Sequence, residues 1–161
     1  MKIYKLLLLS ILACSIGCTK DSDKEVSTVK IKRITINEYP VTNGAVAWDD
    51  PVVGSSTGAD ISWEITGPQN FSSSTYWQNA GGTTVTFTLS TAVYLDKPKE
   101  QYTLLLWDLD DLDSSDLGSA DDLMKSLTFT PWKTDGDEDR DNITIYDNNT
   151  EIVIDVEYLF E

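Results

Sequence analysis

Apolar and polar residues alternate with period two along much of this chain. Ile61, Trp63 and Ile65 share one phase, as do Val85, Phe87 and Leu89, and again Ile152, Ile154, Val156 and Tyr158, with polar or charged residues between them. Such alternation places the apolar set on one face of an extended chain and predicts half-buried strands. Val29 with Ile31 and Ile34 with Ile36 also alternate, but the two pairs are one residue out of phase, which predicts a β-bulge near Arg33 within the first strand. Residues 102 to 107, YTLLLW, are apolar on both faces and read as a central strand. Between these stretches lie clusters of Gly, Pro, Asn, Asp and Ser, and no window of ten residues carries a helical period. The pattern predicts strands at residues 28–38, 59–66, 73–79, 83–90, 92–95, 101–108, 122–130 and 143–158, the last a hairpin turned at Asp147, Asn148 and Asn149. The expected fold class is all-β, an eight-stranded antiparallel β-sandwich.

The first eighteen residues, MKIYKLLLLSILACSIGC, break this pattern. Lysines at 2 and 5 precede an apolar run from Leu6 to Ala13, and small residues lead to Cys18. The run is about half the ~20 residues that a bilayer-crossing helix needs, so it reads as an export signal. Ser15, Ile16, Gly17 and Cys18 resemble the lipobox of bacterial lipoproteins, with Ser15 where that family usually has Leu. The resemblance implies cleavage before Cys18 and a diacylglyceryl group on its thiol. It also implies a protein lipid-anchored at the cell envelope, in the outer membrane. Lys20, Asp21, Ser22 and Asp23 are similar to the acidic motifs that route some such proteins to the cell surface, and they equally suit a solvated tether. Cys14 falls in the segment to be removed, so no disulfide is expected. Residues 1–17 are thus read as signal peptide, 18–27 as a flexible tether and 28–161 as one domain.

Charge narrows the partners. The chain has 12 Lys plus Arg against 27 Asp plus Glu, a net of −15, and loss of two lysines with the signal leaves ten against 27, or −17. Nucleic acid is excluded on that balance. There is no histidine, and the one cysteine of the mature chain would carry lipid. That removes the ligand sets of zinc, copper, haem and iron–sulfur sites, together with every nucleophile–histidine pair.

The acidic residues are concentrated. Asp49 and Asp50 stand at one end of a loop and Asp60 at its other end, and a second run extends from Asp108 and Asp110 through Asp116 to Asp122. In an extended chain Asp108 and Asp110 face the same side about 7 Å apart. Carboxylates 4 Å apart repel by about 4 kcal/mol near a protein surface, so such clusters require a cation or full solvation. Calcium suits the inventory, since it takes six to eight oxygens and needs no nitrogen or sulfur. EF-hand spacing is absent: Asp116 occupies the glycine position after Asp111, Asp113 and Ser115, and Arg140 occupies it after Asp135, Asp137 and Asp139. The latter run, 135 to 141, reads as a solvated loop or a second, weaker ion site.

Taken together these loops resemble the C2 domain, a calcium-dependent phospholipid-binding β-sandwich of eight antiparallel strands. Asp49 or Asp50 with Asp60-Ile-Ser-Trp is similar to that family's first loop, and Asp108-Leu-Asp110 with Asp122-Leu-Met is similar to its third. Lys125 stands where the family typically has glycine, and the spacer to Asp122 is longer than usual. Asp116 fits the family's spacer, whereas Asp122 fits the strand that should follow, so either could close the third loop. The resemblance implies a bound Ca2+ held by Asp49, Asp50, Asp60, Asp108, Asp110 and Asp116 or Asp122.

Pro51, Val52, Val53, Leu112 and Leu117 place apolar side chains on the same loops, as expected of a membrane-dipping tip or a small protein contact. No lysine lies between Pro68 and Ser90, so a basic lipid groove is not expected and lipid contact would run through calcium. The expected function is that of a non-enzymatic, membrane-anchored calcium-binding module contacting phospholipid, protein or glycan. The alternative is a surface adhesin or carbohydrate-binding sandwich in which calcium only rigidifies loops. An enzyme ranks third, because no carboxylate pair is marked by an apolar cleft.

Overall fold

A computed structural model describes residues 25–48, 58–109, 121–132 and 140–161. The strands are β1 (Val26–Glu38), β2 (Thr42–Asn43), β3 (Val46–Ala47), β4 (Ile61–Thr66), β5 (Phe71–Ser72), β6 (Val85–Leu95), β7 (Tyr102–Asp108), β8 (Asp122–Phe129), β9 (Asn142–Asp147) and β10 (Thr150–Phe160). Two four-stranded antiparallel sheets form, one in the order β6-β1-β10-β9 and the other β5-β4-β7-β8, while β2 and β3 make a separate small hairpin. The architecture is the all-β antiparallel sandwich expected from the alternation, and no helix occurs among the described residues.

Each long strand turns its apolar phase inward. On β1 the buried set is Val26, Val29, Ile31, Ile34 and Ile36, and it meets Ile152, Ile154 and Val156 of β10 in directly opposed pairs. The expected bulge is present: the register of β1 slips between Ile31 and Arg33 against both of its neighbours. One added residue lets the apolar phase resume on the same face, where a strict period of two would turn Ile34 and Ile36 to solvent. Strand β7 is central in its sheet, flanked by β4 and β8, with Tyr102, Leu104 and Leu106 wholly buried. Burying an aliphatic side chain of this size contributes roughly 1.5–3 kcal/mol, so these inward rows supply most of the stabilisation.

Two expectations about the strands are corrected. Residues 73–79 form no strand: the chain pairs at β5, then again only through a bridge between Ile61 and Trp77. The cause is local, because the Ser73 hydroxyl donates to the Thr75 carbonyl and accepts from the Thr75 N–H, a turn that competes with ladder pairing. Residues 83–90 and 92–95 belong to one strand, β6, interrupted where Ile31 pairs Val93 but Arg33 pairs Thr88. Residues 143–158 form the expected hairpin, β9 and β10, joined by a tight turn with Asn148 at φ 47°.

Candidate functional site

Residues from three strands meet at one rim of the second sheet. Asp60 precedes β4, Asp108 ends β7 and Asp122 begins β8. In the ladders Asp108 lies opposite Ile61 on one side and Asp122 on the other. The pairing with Asp122 depends on a second bulge: Leu106 pairs Lys125 but Trp107 pairs Leu123, so Met124 is an extra residue in β8. Opposed residues in an antiparallel pair bring their Cβ atoms within about 4.5–5.5 Å.

Asp108 continues the inward phase of Tyr102, Leu104 and Leu106, so its carboxylate ends a buried row with no accessible surface. Its Oδ1 accepts the backbone N–H of Asp60 at 2.7 Å. Asp60, 8% exposed, in turn accepts the backbone N–H of Asn79 through its own Oδ1 at 2.6 Å, and its carbonyl accepts the N–H of Leu109 at 3.0 Å. Backbone donors therefore fix both carboxylates. Burial pushes the Asp60 carboxyl above its ordinary pKa, and the Asn79 hydrogen bond only partly offsets this. Asp122 is exposed at the edge of the pair.

The segment that seats Asp60 is locked from behind. The Ala80 N–H donates to the Ala59 carbonyl at 2.8 Å, and a Cβ on Gly58 would lie 2.7 Å from the Gly81 nitrogen. Only glycine permits that approach. Asn79, Gly81 and Gly82 all have positive φ, and the Tyr39 hydroxyl closes the turn by donating to the Ala80 carbonyl and accepting from the Gly82 N–H at 2.8 Å. Sequence reasoning missed Asn79 as a partner of the site; the Asn-Ala-Gly-Gly run was the signal that could have found it.

Of the expected metal ligands, Asp60 and Asp108 come together and Asp122 stands beside them, while Asp49, Asp50, Asp110 and Asp116 lie outside the described residues. So do Val52, Val53, Leu112, Leu117 and Cys18. Among the described residues no group of three or more carboxylates gathers closely enough to hold an ion on its own. The described part of the rim offers a buried carboxylate pair, all oxygen and no nitrogen or sulfur ligand, which is the donor chemistry of a hard cation. Two loop tryptophans are accounted for by packing. The Trp48 indole donates to the Pro40 carbonyl at 2.8 Å, and Trp132 packs edge-on to Tyr158 with ring centres 5.0 Å apart.

No protein-family model matches this chain, and no curated protein matches it. Among solved structures it is similar to human GIVD cytosolic phospholipase A2 in complex with methyl gamma-linolenyl fluorophosphonate, with a TM-score of 0.50 at 10% identity over 84% of this chain. The match spans 18% of the length of that enzyme. At such identity the likeness shows the fold alone, and the fold it supports is the C2-like sandwich.

Proposed function

We propose that this protein is a calcium-binding C2-like module, non-enzymatic and tethered to the bacterial envelope through lipid on Cys18. The observation that carries the reading is the side-by-side burial of Asp60 and Asp108 at the rim where β4, β7 and β8 meet. Each buried carboxylate loses its hydration, a cost that a divalent ion would offset. In this reading Ca2+ sits at the rim, with Asp60 and Asp108 as inner ligands and Asp122 at the edge. Asp49, Asp50, Asp110 and Asp116 would supply further oxygens from the two loops. The ion would supply positive charge to which an anionic headgroup or another acidic partner could bind, since the chain itself carries a net −15.

Calcium titration by calorimetry tests this directly. Wild-type protein should bind Ca2+ and melt at a higher temperature with it, Asp108→Asn should do neither, and a wild type without calcium heat or thermal shift would overturn the reading. Co-sedimentation with phosphatidylserine vesicles, with and without chelator, then tests the lipid contact. Incorporation of labelled palmitate, abolished by Cys18→Ala, tests the anchor.

A further inference from the structure

The two sheets do not close over the core at every edge. Strands β5 and β6 are the outer strands of their respective sheets, and both are defective there. Strand β5 is two residues long, and β6 carries four residues, 89 to 92, between pairings that span a single residue, Lys32, on β1. The result is an open groove of about 550 Å3 running from the Ser72–Thr75 turn to Val93, within the ~300–1,000 Å3 range of small-molecule sites.

Its lining differs from the rest of the surface. In a chain with 27 acidic residues, none of the described residues that line this groove is charged. Three aromatic rings, Trp63, Phe71 and Phe87, share it with four serines and three threonines. Trp63 is 2% exposed, and its indole N–H has no hydrogen-bond partner among the described residues. A buried donor left unpaired costs roughly 1–3 kcal/mol, and few native donors stay so without reason.

We propose that this groove binds a neutral saccharide. The absence of lining charge disfavours ionic ligands of either sign, and the protein's own field repels anions. Hydroxyl side chains both donate and accept, as sugar hydroxyls do, and the half-buried Phe71 ring offers an apolar face to the C–H groups of a pyranose. An acyl chain would offer these hydroxyls no hydrogen-bond partner. The site is separate from the acidic rim, so its occupation does not depend on calcium.

The test uses indole 15N–H NMR of the protein in EDTA, with the Trp63 signal assigned by Trp63→Phe. Maltohexaose, cellohexaose and chitotetraose are the neutral probes, trigalacturonate the anionic one and decanoylglycerol the acyl one. At least one neutral glycan should move the Trp63 signal saturably. Thr91→Glu, which puts a charge at an exposed position of the groove, should weaken that binding at least tenfold with an unchanged melting temperature; it also carries the test should Trp63→Phe not fold. No shift with any neutral probe at millimolar concentration would overturn the inference. So would equal binding of trigalacturonate, response to decanoylglycerol alone, or sugar binding that requires calcium. Because the titration is run in chelator, its failure is distinct from failure of the calcium reading.

Discussion

The first sheet carries its charges outside and in opposite-sign pairs, whereas the second holds two like charges inside. On the first, Lys30 lies directly opposite Glu157 and Arg33 opposite Asp155, and each pair closes a salt bridge on the solvent face. On the second, Asp60 and Asp108 are buried together and bound by backbone N–H groups. Exposed opposite-sign pairs need nothing beyond water and contribute little. Buried like charges are costly unless something else shares the space. On the proposed reading, the first sheet holds the fold and the rim of the second binds the ion.

The sharpest way to break that division is through the core of the first sheet. Ile154→Ala, at a wholly buried position opposite Ile34, should cost about 2–5 kcal/mol and lower the melting temperature by about 10 °C, with or without calcium, by differential scanning calorimetry. Next comes the rim. Calcium at a hundred times its dissociation constant should stabilise the wild type by about 2.7 kcal/mol, and Asp108→Asn should lose that increment while keeping an oxygen for the Asp60 N–H. Gly58→Ala should cost about 1–3 kcal/mol by forcing the turn at Asn79 to Gly81 away, and should weaken calcium binding as Asp60 shifts, both read by titration in urea and by calorimetry.

A smaller effect separates the burial of Asp60 from its charge. Its carboxyl pKa is raised in the folded state, so its contribution to stability is fully present below the unfolded value and is lost as pH rises through the folded one. In chelator the wild type should therefore lose stability relative to Asp60→Asn as pH climbs from acid to neutral. Calcium should reverse the order at neutral pH. Smallest of all, Arg33→Ala should cost about 0.5 kcal/mol or less, and salt should erase the difference, because the pair lies in solvent.

Much of this architecture could be read from the residues alone, and the reasons differ by element. Where one face is buried, as in β1, β4, β7 and β10, hydrophobic phase and strand coincide, and even the slip at Arg33 leaves a visible trace. The failure at residues 73–79 is also instructive. Thr75, Tyr76 and Trp77 have strand propensity, but Ser73 uses its hydroxyl to satisfy the backbone locally, and propensity lost to that turn. The rim was legible only in part. The loop resemblance implied that Asp60 and Asp108 meet, whereas the Asn-Ala-Gly-Gly run marks a turn at Asn79 without indicating that its N–H, nineteen residues on, holds Asp60. The groove was invisible to sequence, since it arises from two edge strands of mismatched length in different sheets.

Met124 is the extra residue that sets which side chain faces Asp108. Counted back from the Tyr102–Phe129 pair in a regular ladder, with Met124 paired to Trp107, Leu123 would take the place opposite Asp108 and Asp122 would fall past the strand end. The bulge thus works as a vernier: one inserted position, deep in an otherwise regular ladder, decides whether the mouth of the sandwich presents oxygen or hydrocarbon. Variation in the length of the connection between β7 and β8 leaves that choice untouched, and so does deletion of Met124 itself, whereas a register that paired Met124 with Trp107 would reverse it.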